Sequence, residues 1–399
     1  MSSPLRLLAL PGLGLGSFVL ESLAAARGAS PWSEVPPLEP SLRVVAEAAL
    51  DRSFGLGMNL LIGVPHPSTM RRAQAEAAAM AAWVDEQGFR HEPRRYHRDP
   101  GAPTEVELDA GQAWLGLRPT RYQKLAFPSG FEPHPGEPGG RRWLKHPANH
   151  TVHAQLFEHP GEPRPWVVCV HGFGMGTPLP NFAAFRVQTL HEQYGYNVVC
   201  PSLPLHGPRG TGRLSGSELL APDYLRLTHL FAQGAWDVRR LLAWIRARGG
   251  TRIALWGLSL GGYVSALVSC LEDELAGVVA GIPAVDFPNV ARDNEPWVIQ
   301  RYDDDVHIDW EEVRGATVVV SPLAMESRVP VERRYIFAGT ADRVARPDQA
   351  RALWRHWDRC RIHWFPGGHV AAQWNSSVAP FVDEALQACL GGGSASQLG

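Results

Sequence analysis

The stretch Ile253-Ala254-Leu255-Trp256-Gly257-Leu258-Ser259-Leu260-Gly261-Gly262 decides how the rest of the chain is read. Ile253 to Trp256 is apolar on successive positions, the pattern of a strand covered on both faces. Beyond the glycines, Tyr263, Val264, Leu267, Val268 and Leu271 recur at helical spacing. Between strand and helix lies Gly-x-Ser-x-Gly, the motif that holds a serine hydroxyl clear of the backbone on a very sharp turn. Side chains at 257 and 261 are expected to collide across that turn, so only hydrogen fits. The helix that opens at Leu260 aims its first N–H groups at the serine, where they favour developing negative charge.

The same alternation of strand and helix extends outward. Strand-like runs fall at Val152–Phe157, Trp166–Val170, Val198–Cys200, Val278–Ala280, Tyr335–Ala338 and Ile362–Phe365, with a first strand at Arg121–Phe127. Helical stretches fall near 181–193, 229–248, 260–271, 347–357 and 371–390. Runs that are apolar on successive residues predict helices on both faces of a parallel sheet. The expected fold is therefore α/β, a three-layer α/β/α sandwich with a mostly parallel sheet.

Two further loops carry chemistry. Tyr335-Ile336-Phe337-Ala338-Gly339-Thr340-Ala341-Asp342 is an apolar strand ending in Gly-x-x-Asp, and Pro347 suits the first turn of the next helix. Ile362-His363-Trp364-Phe365 is a strand leading into Pro366-Gly367-Gly368-His369. There the two glycines are expected to let the chain turn so that the histidine reaches back over the sheet. Upstream, the strand Trp166–Val170 is followed by His171-Gly172-Phe173-Gly174-Met175-Gly176.

With its serine, acid and histidine in this chain order, the sequence resembles the α/β-hydrolase superfamily over roughly 150–390. The resemblance implies a triad of Ser259, Asp342 and His369. It implies an oxyanion hole from the N–H groups of Phe173 and Leu260, with His171 and Gly172 supporting the loop. A serine in the elbow argues against the dehalogenases and epoxide hydrolases of the superfamily, which use a carboxylate there. Asp286, after Val278–Ala280 and Pro283, is the alternative acid, because some hydrolases draw theirs from that earlier strand. The loop Leu203-Pro204-Leu205-His206-Gly207 lacks the Asp that many relatives carry.

The expected activity is cleavage of a small-molecule carboxylic ester or thioester through an acyl-enzyme, with no cofactor and no metal. A thioesterase or peptidase uses the same parts. The competing class is an interaction protein carrying a relic triad. Residues 283–332 are longer than a bare connection and hold Phe287, Trp297, Tyr302, Trp310 and Met325. They read as a cap over the pocket, or as an insertion that only packs on the sheet.

Residues 1–120 match no part of the basic hydrolase fold and read as an N-terminal helical extension. The domain itself spans 121–390, and 391–399 is a tail. Within the extension, Met70, Ala73, Ala77, Met80 and Val84 mark one helix face, with Ser68 or Thr69 as cap and Gly88 as stop. Arg6, the uncharged Leu7–Leu20 and Ala24-Ala25-Ala26 outline a signal peptide, but Pro11, Gly12, Gly14 and Gly16 break its apolar stretch. It is too short for an integral membrane span, which needs about 20 residues.

Composition narrows the remaining classes. The 399 residues carry 38 Lys+Arg against 40 Asp+Glu, a net charge of −2, which argues against nucleic acid as a partner. Five Cys without a C-x-x-C fit neither a zinc ribbon nor a dense disulfide framework, so a cytoplasmic setting is expected. His146, His150, His153 and His159 straddle a strand and read as surface, as does the acidic run Asp303–Asp305.

Overall fold

A computed structural model describes residues 33–391, apart from 40, 63, 64, 116, 117, 213, 222 and 294–307. The leader-like segment, Trp297, Tyr302, Asp303–Asp305 and the tail beyond Gly391 lie outside the described residues.

In chain order, helices α1 (Leu42–Ile62) and α2 (Pro67–Glu86) precede strands β1 (Glu107–Leu115), β2 (Arg118–Pro128), β3 (Thr151–Phe157) and β4 (Trp166–Val170). Next come α3 (Pro178–Ala184), β5 (Asn197–Pro201), α4 (Tyr224–Ala247), β6 (Ile253–Leu258), α5 (Leu260–Ser269) and β7 (Gly277–Gly281). Helices α6 (Phe287–Asp293) and α7 (Trp310–Thr317) follow, then β8 (Arg334–Gly339), α8 (Pro347–His356), β9 (Arg361–Phe365) and α9 (Val378–Leu390).

The strands form one sheet in the order β1-β2-β3-β5-β4-β6-β7-β8-β9. From β5 to β9 every pairing is parallel, while β1, β2 and β3 add an antiparallel edge. Every residue of β4, β5, β6, β7 and β8 is buried. Alternate residues of these strands feed two cores. Val168, Val170, Leu255 and Val278 pack with residues of α4 and α5 on one face. Val167, Cys169, Trp256 and Val279 pack with Phe182, Phe185 and the α9 residues Val382 and Leu386 on the other. The expected α/β sandwich, with helices on both faces of a mixed, mostly parallel sheet, is what the chain adopts.

Several local expectations need correction. The expected start of the domain at 121 falls inside β2, and β1 lies wholly before it, so the sheet takes in residues assigned to the extension. β1 reads Glu-Leu-Asp-Ala-Gly-Gln-Ala-Trp-Leu. As an edge strand with much of its surface exposed, it carries too little apolar signal to announce itself. The helix foreseen near 181–193 is interrupted at Arg186, where φ is +47°. The apolar stripe of α2 is buried as expected, against α7 and α4. Full burial of one such Met or Val is worth roughly 1.5–3 kcal/mol. Its cap, however, is His66, whose ring accepts from Ser68 N, while Pro67 takes the first helical position. Gly88 does end it, at φ +73°.

Among the described residues, no helix is long and apolar enough to cross a membrane.

Candidate active site

β6 delivers Ser259 onto its turn at φ 53° and ψ −112°. A non-glycine residue held there costs on the order of 1–3 kcal/mol and persists only because its surroundings over-determine it. The flanking glycines show how. A Cβ at Gly257 would lie 2.1 Å from the carbonyl oxygen of Gly261, the collision across the turn that was expected. A Cβ at Gly261 would instead lie 1.9 Å from the carbonyl oxygen of Val170, so its constraint comes from β4 rather than from the turn. Ser259 N donates to Gly281 O at 2.8 Å, which pins the turn to β7 as well.

His369 Nε2 lies 2.9 Å from Ser259 Oγ, and His369 Nδ1 lies 2.6 Å from Asp342 Oδ2. An ionised carboxylate only accepts, so the proton sits on Nδ1 and leaves Nε2 free to accept from the serine hydroxyl. The other oxygen of Asp342 accepts from Val344 N and Ala345 N, both at 2.8 Å, which fixes the carboxylate plane. Burial alone would lower the pKa of His369. The charge and hydrogen bond of Asp342, with the charge of Asp51, more than offset it, and the net shift is upward from 6.5.

Asp286 is occupied elsewhere. Its carboxylate pairs with Arg314 Nη1 at 3.0 Å and accepts from Asn289 Nδ2 at 2.5 Å. The structure therefore joins Asp342, and not Asp286, to the histidine.

Gly172 and Phe173 border the serine. A Cβ at Gly172 would come within 3.5 Å of Ser259 Cβ and 3.2 Å of Leu258 O. Leu260 opens α5, so its N–H belongs to the first turn, which has no intrahelical acceptor. His171 is buried; its Nδ1–H donates to Gly172 O at 2.8 Å and its Nε2 accepts from Leu203 N at 2.9 Å. Burial, with the charges of His206 and Arg209, pushes its pKa down to about 3. This imidazole is a neutral brace between two loops.

Over the serine lies a cavity of about 420 Å³. Phe54 and Met58 of α1, Met70 of α2, Phe173, Phe287 of α6 and Trp310 of α7 are among its walls. Two of the foreseen cap aromatics thus face the site, while Met325 is buried in the core instead. The contribution of α1 was not foreseen.

Nor were two carboxylates on α1. Asp51 Oδ2 accepts from His369 N at 2.7 Å and from Arg343 N at 3.0 Å, and its Oδ1 accepts from Val370 N at 2.9 Å. Glu47 Oε2 accepts from Gly368 N at 3.0 Å. This contact revises the reading of Gly367-Gly368. Neither has a positive φ. A Cβ at Gly368 would lie 2.8 Å from Asp51 Oδ2 and 3.0 Å from the backbone oxygen of Glu47. Gly368 is small so that α1 can approach, not so that the chain can turn. The one sequence signal was an acid pair four residues apart, Glu47 and Asp51, among alanines and leucines.

Among the described residues no group of three or more His, Cys, Asp or Glu side chains comes together as a metal site would require. His150 and His159 bond instead to the carbonyls of Leu144 and His191.

Comparison with known proteins places this architecture. The chain is 37% identical over 380 residues to the uncharacterized protein MT2702 of Mycobacterium tuberculosis strain CDC 1551 / Oshkosh, covering 94% of this chain and 90% of that one. The uncharacterized protein Rv2627c of strain ATCC 25618 / H37Rv matches to the same extent. The chain belongs to their family. No protein-family model matches it. Among solved structures, acetyl xylan esterase 1 from Thermoanaerobacterium sp. JW/SL YS485 aligns with a TM-score of 0.51 at 17% identity. That alignment covers 77% of this chain and 93% of the esterase. The likeness establishes the fold: this is an α/β-hydrolase fold with a helical N-terminal region.

Proposed function

We propose that the chain is a serine hydrolase that cleaves carboxylic esters of apolar acids through an acyl-enzyme. The observation that carries this reading is the unbroken line from Ser259 Oγ through His369 to Asp342, set at the floor of an apolar cavity.

The chemistry follows from the positions. As Ser259 Oγ attacks the ester carbonyl carbon, its proton passes to His369 Nε2. Asp342 holds the imidazole in the correct tautomer and stabilises the imidazolium. The carbonyl oxygen becomes an oxyanion, held by the N–H groups of Phe173 and Leu260. Collapse breaks the bond to the leaving alkoxide, which takes the proton from His369. Water, deprotonated by the same imidazole, then attacks the acyl-enzyme and releases the acid and Ser259. A thioester presents the same carbonyl with a thiolate as leaving group and falls under the same mechanism. The five cysteines are all buried free thiols, which supports a reducing, cytoplasmic setting.

The test is covalent labelling with a fluorophosphonate, together with a chain-length series of p-nitrophenyl esters and acyl thioesters. Labelling at Ser259, lost in Ser259→Ala and weakened in His369→Ala, supports the enzyme. A folded protein that neither labels nor turns over any member of the series is a binding protein with a relic triad.

A further inference from the structure

The buried carboxylates of α1 do something that the triad alone does not explain. Asp51 is 1% exposed, yet three N–H groups point at it from two separate loops. One belongs to Arg343, which directly follows the triad acid. The other two belong to His369 and its neighbour Val370. Among the described residues every hydrogen bond to the Asp51 carboxylate is one it accepts, the pattern of an ionised group, while burial and the charge of Asp342 push its pKa upward. Glu47, one turn earlier, takes Gly368 N and is itself steadied by Arg43 Nε at 2.7 Å.

A second observation is independent of these bonds. The loop before His369 is built to receive the helix, because any side chain at 368 would strike Asp51 and the backbone of Glu47. A small apolar contact of Val44, Ala48 and Leu38 with Ala341 seats α1 beside the acid loop. One turn beyond Asp51, Phe54 packs edge-on against Phe173 at a ring separation of 6.3 Å. Helix α1 therefore touches the acid loop, the histidine loop and the oxyanion loop in succession.

We infer that Asp51 is a positioning residue for the hydrolytic reaction: it ties the acid loop to the histidine loop and sets the orientation of His369, with Glu47 as its second anchor. The inference rests on the serine-hydrolase reading above. It makes the N-terminal helix part of the reacting machinery rather than an appendage. Two consequences follow from where the charge sits. Without Asp51 the backbone of His369 loses its anchor, so Nε2 drifts from Ser259 Oγ; a displacement of about 1 Å costs on the order of 10²-fold in rate. The imidazolium also loses one of the two negative charges that favour it. The charged groups facing Asp51 are Asp342 and His369 across the loops and Glu47 on its own helix, with Arg52 and Arg343 as chain neighbours of Asp51 and Asp342.

The experiment compares the full-length chain with Asp51→Asn, which keeps shape and one acceptor oxygen but removes the charge. Hydrolysis of a p-nitrophenyl ester is followed from pH 5 to 9, and the imidazole of His369 is titrated by NMR in histidine-labelled protein. The expected result is kcat lowered roughly tenfold or more with KM nearly unchanged. The acid limb of the kcat/KM profile and the NMR titration of His369 both move to lower pH. Gly368→Ala, which pushes α1 off the loop from the opposite side, gives the same kcat loss and the same direction of shift. It serves as the second variant should Asp51→Asn fail to fold.

Wild-type kcat and an unmoved limb in folded Asp51→Asn would overturn the inference. So would a loss of activity in proportion to loss of folded protein, with the His369 titration unchanged. If the wild-type chain hydrolyses nothing, the serine-hydrolase reading fails, and the NMR titration still decides whether Asp51 governs His369.

Discussion

Helices α5 and α1 both touch Ser259 or His369, and they do so in opposite ways. All ten residues of α5 are buried, and its contribution is made by backbone at its first turn. Helix α1 leaves Leu42, Val45, Leu50 and Leu56 exposed, while it turns Val44, Glu47, Ala48 and Asp51 inward. Its contribution is made by side chains that reach loops some three hundred residues away in sequence. The difference is between a device whose motif is written within a dozen residues, though β4 and β7 clamp it, and one that no short stretch announces and that appears only when distant segments meet.

Four tests break or sharpen that contrast. The largest effect belongs to the local device: Ser259→Ala should lower kcat by at least about 10⁴-fold, in line with removal of a triad serine. Its Tm should stay close to wild type, because the turn is held by β4 and β7 and not by the hydroxyl. Measuring turnover and thermal unfolding on the same sample checks both halves.

Next comes the choice of acid. Asp342→Asn should cost on the order of 10⁴-fold in kcat, the effect of imposing the wrong histidine tautomer. Asp286→Asn should leave most activity and weaken only the contact with Arg314. If the two results were exchanged, the distant arrangement described for the histidine would be wrong.

Gly261→Ala tests how the elbow is held. Its Cβ would enter the space of Val170 O, so the variant should lose roughly 1–3 kcal/mol or more of stability, read from urea unfolding. An alanine tolerated there with unchanged stability would mean that β4 does not clamp the turn.

The smallest effect separates the two roles of α1. Met58→Ala removes a wall of the cavity while keeping the carboxylates and the Phe54 ring against Phe173, so KM for long-chain esters should rise several-fold while kcat changes little. A matching fall in kcat would show that the helix cannot be divided into a wall and a clamp.

Legibility follows the same division. The parallel strands could be read because burial on both faces writes itself as consecutive apolar residues. Ser259, Asp342 and His369 could be read because each sits at the end of such a strand with its turn chemistry beside it. The antiparallel edge strand β1 was missed because an exposed, polar strand leaves no period to detect. Asp51 and Glu47 were missed for a stronger reason. On α1 the usual rule is inverted, with leucines outward and acids inward, so hydrophobic periodicity points to the wrong face.

The amino-acid order by itself therefore determined the layered fold, the serine on its glycine-flanked turn and the chain order of acid and histidine, since each depends on neighbours a few positions away. Only the tertiary structure decided that Asp342 and not Asp286 meets the imidazole, that Gly368 is a seat for a helix, and that two acids from the N-terminal region hold the histidine loop. The first rests on a contact between loops 27 residues apart and the others on contacts some three hundred residues apart, and no local pattern encodes which N–H group or imidazole a buried carboxylate will find.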